Sequence, residues 1–412
     1  MRLTRAWPAV VGLGAAVIAV ATLRPDYSRE APPWAACLVC GERGTADAIL
    51  NVILFAPLGA GLALAGSRTR RALLIGALVS ALAELAQTVI PGRDPSLGDV
   101  LFDTIGTGVG VALVALVGQA CRQTAVAASR LSLAAAGGFA VVVLGTGLLL
   151  APSFPRTVYW GQWTPNLGHL EWYRGRVRAA RVGNLAVPSR RIAQSDRVRT
   201  LLLAGAPITV DAIAGPQVPA LASLFSIYDR AEREIVLVGP DRDDVVFRYR
   251  TRAVGLRLNP SALRLAGGLR GVRPGDSLHV VVRGDPGLRF SLEVNSSSQV
   301  LRLPMSQGWT LLYPAPSSPA WLATLLHALW IAVLVAPVGF WLRTRAESGM
   351  ALGVVAASLW LAPPLVGLQA AGPTLSAVAV AAIVLAAWSG RRVLPGARLW
   401  EGRLGRVSAH ED

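Results

Sequence analysis

Long apolar runs dominate this chain of 412 residues and restrict what it can fold into. About eight runs reach roughly 18 to 25 residues, the length that crosses a bilayer as an α-helix. They lie near Trp7–Leu23, Ala48–Gly66, Ala72–Ile90, Asp99–Gly118, Leu131–Ala151, Ala320–Leu342, Met350–Gln369 and Thr374–Ser389. Only 16% of the residues are charged, which excludes an ordinary soluble enzyme. The sequence therefore predicts a polytopic α-helical membrane protein with about eight spans.

The placement of arginine predicts how these spans are oriented. Many arginines fall in the segments that lie on one side of the predicted membrane. They are Arg2, Arg5, Arg68, Arg70, Arg71, Arg122, Arg130, Arg343, Arg345 and those from Arg391 onward. By the positive-inside rule this side is the cytoplasm, so we expect both termini there. The long segment between the fifth and sixth spans is then extracytoplasmic.

Six polar residues interrupt the second, third and fourth predicted spans. They are Asp47, Asn51, Glu84, Gln87, Asp99 and Asp103. A carboxylate or amide in lipid costs several kcal/mol unless it has polar partners, so such residues mark functional sites by default. The two in each span are three or four residues apart and share a helix face. We predict one polar pocket, in the outer third of the membrane, with Arg93 above it.

Structural roles compete with the functional one for part of this set. The residues that also suit interhelical hydrogen bonds or helix N-termini are Asp47, Asn51, Gln87 and Asp99. Glu84 and Asp103 lie more than a turn inside their spans, which favours function. Because four carboxylates face one arginine, we expect Glu84 or Asp103 to hold a proton at neutral pH, or a cation to bind.

Small residues predict how the aspartate face packs. Gly106 and Gly110 lie on the helix face of Asp99 and Asp103, at the spacing that lets helices approach closely. We therefore expect this face to contact protein and not lipid.

The stretch from Asp47 to Gly110 resembles the VanZ-like membrane family, named for a protein linked to resistance against the glycopeptide teicoplanin. The matching residues are Asp47, Asn51, Phe55, Pro57, Gly59, Glu84, Gln87, Arg93, Asp99, Val100, Gly106 and Gly110. The family usually has an asparagine where this chain has Asp103, so this chain adds a charge. With its flanking spans the resemblance covers about 120 residues. It implies a plasma-membrane protein of the bacterial cell envelope and a link to antibiotic resistance, but no particular reaction.

A close cysteine pair, Cys37 and Cys40, stands in the first predicted outer loop. Outside the cytoplasm such a pair can oxidise, so either a local disulfide or two free thiols fit. The loop offers no histidine and no further cysteine, whereas a structural zinc site needs four ligands. No metal site or cofactor is predicted here.

Between the fifth and sixth spans the periodicity changes. Val245, Phe247 and Tyr249 alternate with Arg248 and Arg250, which is the period-2 pattern of a half-buried strand. Turn clusters such as GPDRDD and RPGDS separate further strands of this type. The sequence predicts an all-β sandwich over residues 152–318.

This pattern resembles the laminin G-like, or concanavalin A-like, jelly-roll superfamily. The stretches that carry the resemblance are EWYRGRVRAARVGN from Glu171, ITVDAIAGP from Ile208, SLFSIYDRAEREIVLVG from Ser223 and VVFRYRTRA from Val245. It implies carbohydrate binding, and in some members calcium. The turn carboxylates that would supply oxygen ligands are Asp229, Asp241, Asp243 and Asp244, although solvated turns explain them more simply.

Charge adds a second expectation for the sandwich. It holds 22 arginines against 12 acidic residues. Arg248, Arg250 and Arg252 would form a ladder spaced about 7 Å apart along one strand. Such a ladder suits a glycan or a polyanion such as an acidic envelope polysaccharide, while a solvated basic face is the alternative. An extracytoplasmic position excludes nucleic acid as a partner.

These elements give a domain plan and two candidate functions. Residues 1–151 would be a VanZ-like membrane domain of five spans, 152–318 the sandwich, 319–390 three more spans, and 391–412 a basic cytoplasmic tail. The favoured function is non-enzymatic binding of an envelope glycan, lipid headgroup or glycopeptide. The alternative is an enzyme acting on a lipid-linked cell-wall precursor at the outer leaflet, with Glu84 or Asp103 as the general acid and Asp99 as the general base. Membrane lipid is the remaining expected partner.

Overall fold

The computed structural model describes residues 7–25, 38–39, 41–93, 95–120, 124–168, 170–285, 289–313 and 320–393. Cys37, Cys40 and the tail beyond residue 393 lie outside this description. The chain divides into a helical unit, residues 1–128 with 391–412, and a mixed unit, residues 129–390.

Helices occupy every predicted membrane segment. They are α1 Trp7–Leu23, α2 Gly44–Leu64, α3 Thr69–Gln87, α4 Leu97–Ala120, α5 Ala125–Leu150, α6 Ser195–Leu203, α7 Arg252–Gly255, α8 Ala320–Trp341, α9 Arg345–Trp360, α10 Ala362–Leu365 and α11 Pro373–Val393. Within the described residues, five of them are long and apolar enough to cross a membrane, namely α2, α4, α5, α8 and α11. The apolar parts of α1 and α9 are shorter. The structure thus supports a multi-pass protein, and the total of eight spans stays a prediction.

Close packing of α2 against α4 forms the centre of the helical unit. A methyl group placed on Gly110 would lie 2.0 Å from the Ala56 carbonyl oxygen, and one on Gly106 would lie 2.5 Å from that of Val52. The prediction that this glycine face contacts protein is therefore confirmed. Phe55 on α2 is fully buried and belongs to a core cluster with Ile18 of α1 and Leu58.

The mixed unit contains two antiparallel sheets. The strands are β1 Tyr159–Trp163, β2 Arg176–Val182, β3 Leu185–Ala186, β4 Ile208–Ile213, β5 Phe225–Asp229, β6 Glu234–Asp241, β7 Asp244–Tyr249, β8 Ala262–Leu265, β9 Ser277–Gly284, β10 Arg289–Val294 and β11 Ser297–Arg302. One sheet has the order β1-β5-β6-β7-β8, and the other has the order β11-β10-β9-β4-β2-β3. This arrangement supports a β-sandwich, while membership of the jelly-roll superfamily stays a prediction.

Aromatic side chains join the two sheets. The ring of Phe290 on β10 lies 4.8 Å from that of Tyr249 and 5.6 Å from that of Phe247, both on β7. The Tyr249 hydroxyl donates a hydrogen bond to the Leu150 carbonyl oxygen at 3.1 Å. Since Leu150 ends α5, the inter-sheet core is bonded directly to the last turn of an apolar helix.

Candidate functional site

Asp103 is the most buried carboxylate of the helical unit, with 4% of its surface exposed. The hydroxyl of Ser80 on α3 donates a hydrogen bond to its Oδ2 atom at 2.6 Å. One turn further along α4, the Thr107 hydroxyl donates to the Asp103 carbonyl oxygen at 3.0 Å. The Oδ1 atom has no hydrogen-bond partner among the described residues. The carboxyl group is therefore fixed between α3 and α4 with one oxygen still available.

Glu84 reaches from α3 to the start of α4. Its Oε2 atom accepts a hydrogen bond from the Ser96 backbone N–H at 2.6 Å, and its side chain is 9% exposed. The Ser96 hydroxyl in turn accepts from the Gly98 N–H at 3.1 Å, which caps the helix. Free N–H groups and the helix dipole favour an anion at this position.

Asp99 connects the other polar residues. Its carboxyl group is hydrogen-bonded by the Asn51 side chain and lies within electrostatic range of Asp47. It also interacts with Glu84 and with Asp103. The structure thus brings five of the predicted pocket residues together from α2, α3 and α4. We call Asp47, Glu84, Asp99 and Asp103 the carboxylate cluster.

Gln87 and Arg93, which the sequence placed in the pocket, are bonded to α1. The Gln87 amide donates to the Thr22 carbonyl oxygen at 3.2 Å. The Arg93 guanidinium donates to the carbonyl oxygens of Arg24 at 2.8 Å and Ala21 at 2.7 Å. Carbonyl groups at a helix C-terminus lack intrahelical donors, and a cation there is favourable. Arg93 also interacts electrostatically with Glu84, so it lies near the predicted pocket while its hydrogen bonds cap α1.

The sequence reading missed three polar contributors, Ser80, Ser96 and the first helix. Ser80 stands one turn before Glu84 on the same face of α3, at a spacing that could have indicated it. No residue spacing could have indicated the Ser96 N–H or the carbonyl groups of α1, because every residue has these main-chain groups.

A gradient of exposure runs through the carboxylate cluster. Asp47 is exposed, Asp99 is half-buried, and Asp103 is buried. Among the described residues no group of three or more histidine, cysteine or acidic side chains is arranged to hold a metal ion. The exposed fraction of the acids falls from Asp47 through Asp99 to Asp103.

The predicted arginine ladder of the sandwich is not present. β7 ends at Tyr249, and Arg252 begins the one-turn helix α7. The Arg248 guanidinium forms two hydrogen bonds to Glu234 on β6. Burial alone would lower the pKa of Arg248, but Glu234 outweighs this effect and raises it. Arg250 is 9% exposed and lies 3.8 Å from Asp229, so neither side chain faces solvent as part of a basic surface.

Arg252 alone of the three is exposed, and it lines a cavity of about 260 Å³. Phe247, Tyr249 and Phe290 form part of the cavity wall, and Ala151 borders it next to the end of α5. Arg252 therefore lies at the edge of the inter-sheet core, apart from Arg248 and Arg250.

The proposed calcium ligands are engaged elsewhere. Arg264 bonds both Asp241 at 2.5 Å and Asp244 at 2.8 Å. Asp243 accepts a hydrogen bond from the Gln217 amide at 2.6 Å. Asp229 lies 3.8 Å from Arg250, so all four turn carboxylates have arginine or amide partners.

Comparison with known proteins supports the first resemblance only. Residues 16–118 match the VanZ/LLP1 family model, a range that contains the whole carboxylate cluster. No curated protein and no solved structure matches the chain. The match is limited to this stretch, which includes α2 and α3 and most of α4, while a laminin G-like or concanavalin A-like origin of the sandwich stays a prediction.

Proposed function

We propose that the protein is an integral membrane component of the bacterial cell envelope whose carboxylate cluster binds the cationic group of an envelope ligand without catalysing a reaction. The observation that carries this proposal is the buried Asp103 carboxyl group with its unengaged Oδ1 atom. A buried charge is costly unless it is paired. The nearby arginine, Arg93, gives its hydrogen bonds to α1. An ammonium group would supply both the charge and the missing donor.

The ligand that fits best bears a primary ammonium group on a polar head. Charge-assisted hydrogen bonds between N–H donors and carboxylates are short and strong where water is scarce. The Asn51 amide, already bonded to Asp99, would help to orient a polar head. Lipid headgroups, peptides and glycopeptides all meet this description, and the exposed Asp47 gives each an entry point.

Orientation follows from the arginine distribution. The positive-inside rule supports cytoplasmic termini, a cluster within reach of the outer leaflet, and an extracytoplasmic sandwich. In this arrangement the sandwich captures a surface polymer or lipid-linked precursor, and the cluster holds the headgroup. The match to the VanZ/LLP1 model supports a part in antibiotic resistance at the same surface.

Lipid binding to the purified full chain tests the cationic group. We would compare phosphatidylethanolamine with its N-acetylated form, which lacks the positive charge, by native mass spectrometry. We expect preferential retention of the charged lipid, and loss of that preference in Asp103→Asn. The control is Glu42→Gln, which removes an exposed carboxylate of the same unit. Equal retention of both lipids by the unmodified chain would refute the proposal.

A carboxylate-dependent enzyme is the second candidate. It is favoured by the interaction of Glu84 with both Asp99 and Asp103, because neighbouring acids in different surroundings can divide acid and base roles. Amide variants separate the two functions. A variant such as Asp99→Asn that still binds a lipid-linked precursor but no longer converts it would establish the enzyme.

A further inference from the structure

A row of exposed arginines runs along β2 and the segment before it. Arg174, Arg176, Arg178 and Arg181 are exposed, whereas Val177 and Ala180 between them are buried. Residues two apart on a strand lie about 7 Å apart on one face. A bulge between Val177 and Ala179 explains the three-residue step to the last arginine. We call these four side chains the arginine row.

Acidic residues do not neutralise this row. Within the part of the chain that the structure describes, none of the four forms an ion pair. Asp211 on the adjacent strand β4 lies opposite Ala179, but its carboxylate contacts the His279 ring at 2.6 Å. Elsewhere on this sheet, Arg283 pairs with Glu293 at 3.1 Å. The row therefore keeps an uncompensated positive charge.

An exposed tryptophan stands at one end of the row. Trp172 is 53% exposed, and the Arg174 guanidinium lies 5.4 Å from the centre of its ring. The next residue, Tyr173, is buried, and its hydroxyl accepts a hydrogen bond from the Gly215 N–H at 2.9 Å. This anchor fixes the backbone on which the indole ring is displayed. A flat ring beside guanidinium groups suits a sugar ring that bears an anionic substituent.

The sheet edge leaves room for a long ligand. β3 pairs with β2 only at Arg181 and Val182. The Val187 N–H adds one hydrogen bond to the Ala180 carbonyl oxygen at 2.8 Å, and the part of β2 from Arg176 to Ala179 does not pair with β3. A chain laid along this edge would meet the guanidinium groups in sequence.

We propose that the arginine row and Trp172 bind an acidic polysaccharide. The guanidinium groups pair with its carboxylates, and the indole ring packs against a sugar ring. The proposal rests on the proposed extracytoplasmic position of the sandwich. A linear array matches a polymer better than a lipid surface, which would present charge over a plane, and a sugar ring gives the tryptophan a partner that phosphates alone do not.

Binding of polygalacturonate to the purified full chain, with neutral dextran as the comparison, tests the charge. We expect Arg176→Gln/Arg178→Gln to lower the affinity for polygalacturonate about tenfold, and added salt to weaken binding by the unmodified chain. The matched control is Arg270→Gln/Arg273→Gln, two exposed arginines in the turn between β8 and β9. An equal loss in the control, or equal binding of dextran, would overturn the proposal.

Trp172→Ala tests the sugar. It should lower the affinity for polygalacturonate several-fold and leave binding of inorganic polyphosphate unchanged. A preference of the unmodified chain for duplex DNA or phosphatidylglycerol vesicles over polygalacturonate would refute the polysaccharide. Because Asp103→Asn should leave polygalacturonate binding intact, failure at the carboxylate cluster and failure at the arginine row are distinguishable.

Discussion

The helical unit and the sandwich treat buried acids in opposite ways. In the sandwich, Asp229 and Asp241 are 4% and 1% exposed, and each lies beside an arginine. In the helical unit, Asp103 is equally buried, but its bonded partner is the neutral hydroxyl of Ser80. Neutral donors fix a carboxyl group without cancelling its charge. The Oδ1 atoms of Asp241 and Asp103 both lack a hydrogen-bond partner among the described residues, so the difference lies in charge: an arginine pairs with Asp229 and with Asp241, whereas the bonded partner of Asp103 is neutral.

This difference separates structural from functional charge. An acid that already has an arginine gains little from a ligand, because the ligand must first displace that partner. A buried acid without an arginine partner offers a binding site but lowers the stability of the fold. Functional sites commonly combine these two effects. Substitutions that remove one charge at a time should therefore have opposite consequences in the two regions.

The largest effect is expected from Arg248→Met. This substitution removes both hydrogen bonds that the Arg248 guanidinium donates to the partly buried Glu234. Because Glu234 is left without a charge partner, we expect the sandwich to lose roughly 3 kcal/mol of stability. Thermal unfolding of the purified chain, followed by intrinsic tryptophan fluorescence, measures the loss.

The double variant Arg248→Met/Glu234→Leu serves as the internal control. It removes both charges and should recover most of the lost stability, since an apolar pair of similar volume is often no worse than the ion pair. If the double variant were as unstable as the single one, packing and not charge would govern this site.

A smaller effect is expected from Gly110→Ala, which tests what holds the unpaired acids together. The added methyl group would meet the Ala56 carbonyl oxygen and force α2 and α4 apart, at a cost of about 2 kcal/mol. Because the cluster residues would be moved apart, the affinity for phosphatidylethanolamine should also decrease. Gly118→Ala on the same helix has nothing within 4 Å and should be neutral or slightly stabilising. If Gly110→Ala were equally harmless, close helix packing would not position the cluster.

Sequence patterns located most elements because each is set by local periodicity. The first apolar run predicted Trp7–Leu23, and α1 has the same bounds. Five of the seven predicted pocket residues meet, since a shared helix face follows from spacing alone. Gln87 and Arg93 form their hydrogen bonds with backbone carbonyls of α1 more than 60 residues earlier, and no side-chain pattern predicts those partners.

The arginines of the sandwich show where periodicity ends. Arg176 and Arg178 repeat the alternation of Arg248 and Arg250, and a single strand does not distinguish the two pairs. Neighbouring strands decide between them. Glu234 on β6 neutralises Arg248, whereas the acid beside β2, Asp211, contacts His279. The pairing register depends on the whole sheet, so the solvent-facing row could be identified only once the strands were in place.

The smallest expected change in stability is the sharpest test of the contrast between the two units. Asp103→Asn and Glu234→Gln make the same chemical change, an acid replaced by its amide, at a buried and at a partly buried position respectively. Glu234→Gln weakens the pairing of Arg248 and should destabilise the sandwich by about 2 kcal/mol. Asp103→Asn keeps a carbonyl oxygen for the Ser80 hydroxyl and removes an uncompensated charge, so its stability should stay within about 1 kcal/mol or rise. Parallel unfolding curves of the two variants measure both changes. Should Asp103→Asn cost as much as Glu234→Gln, the charge of Asp103 would already be balanced within the fold, and no ligand would be needed to complete it.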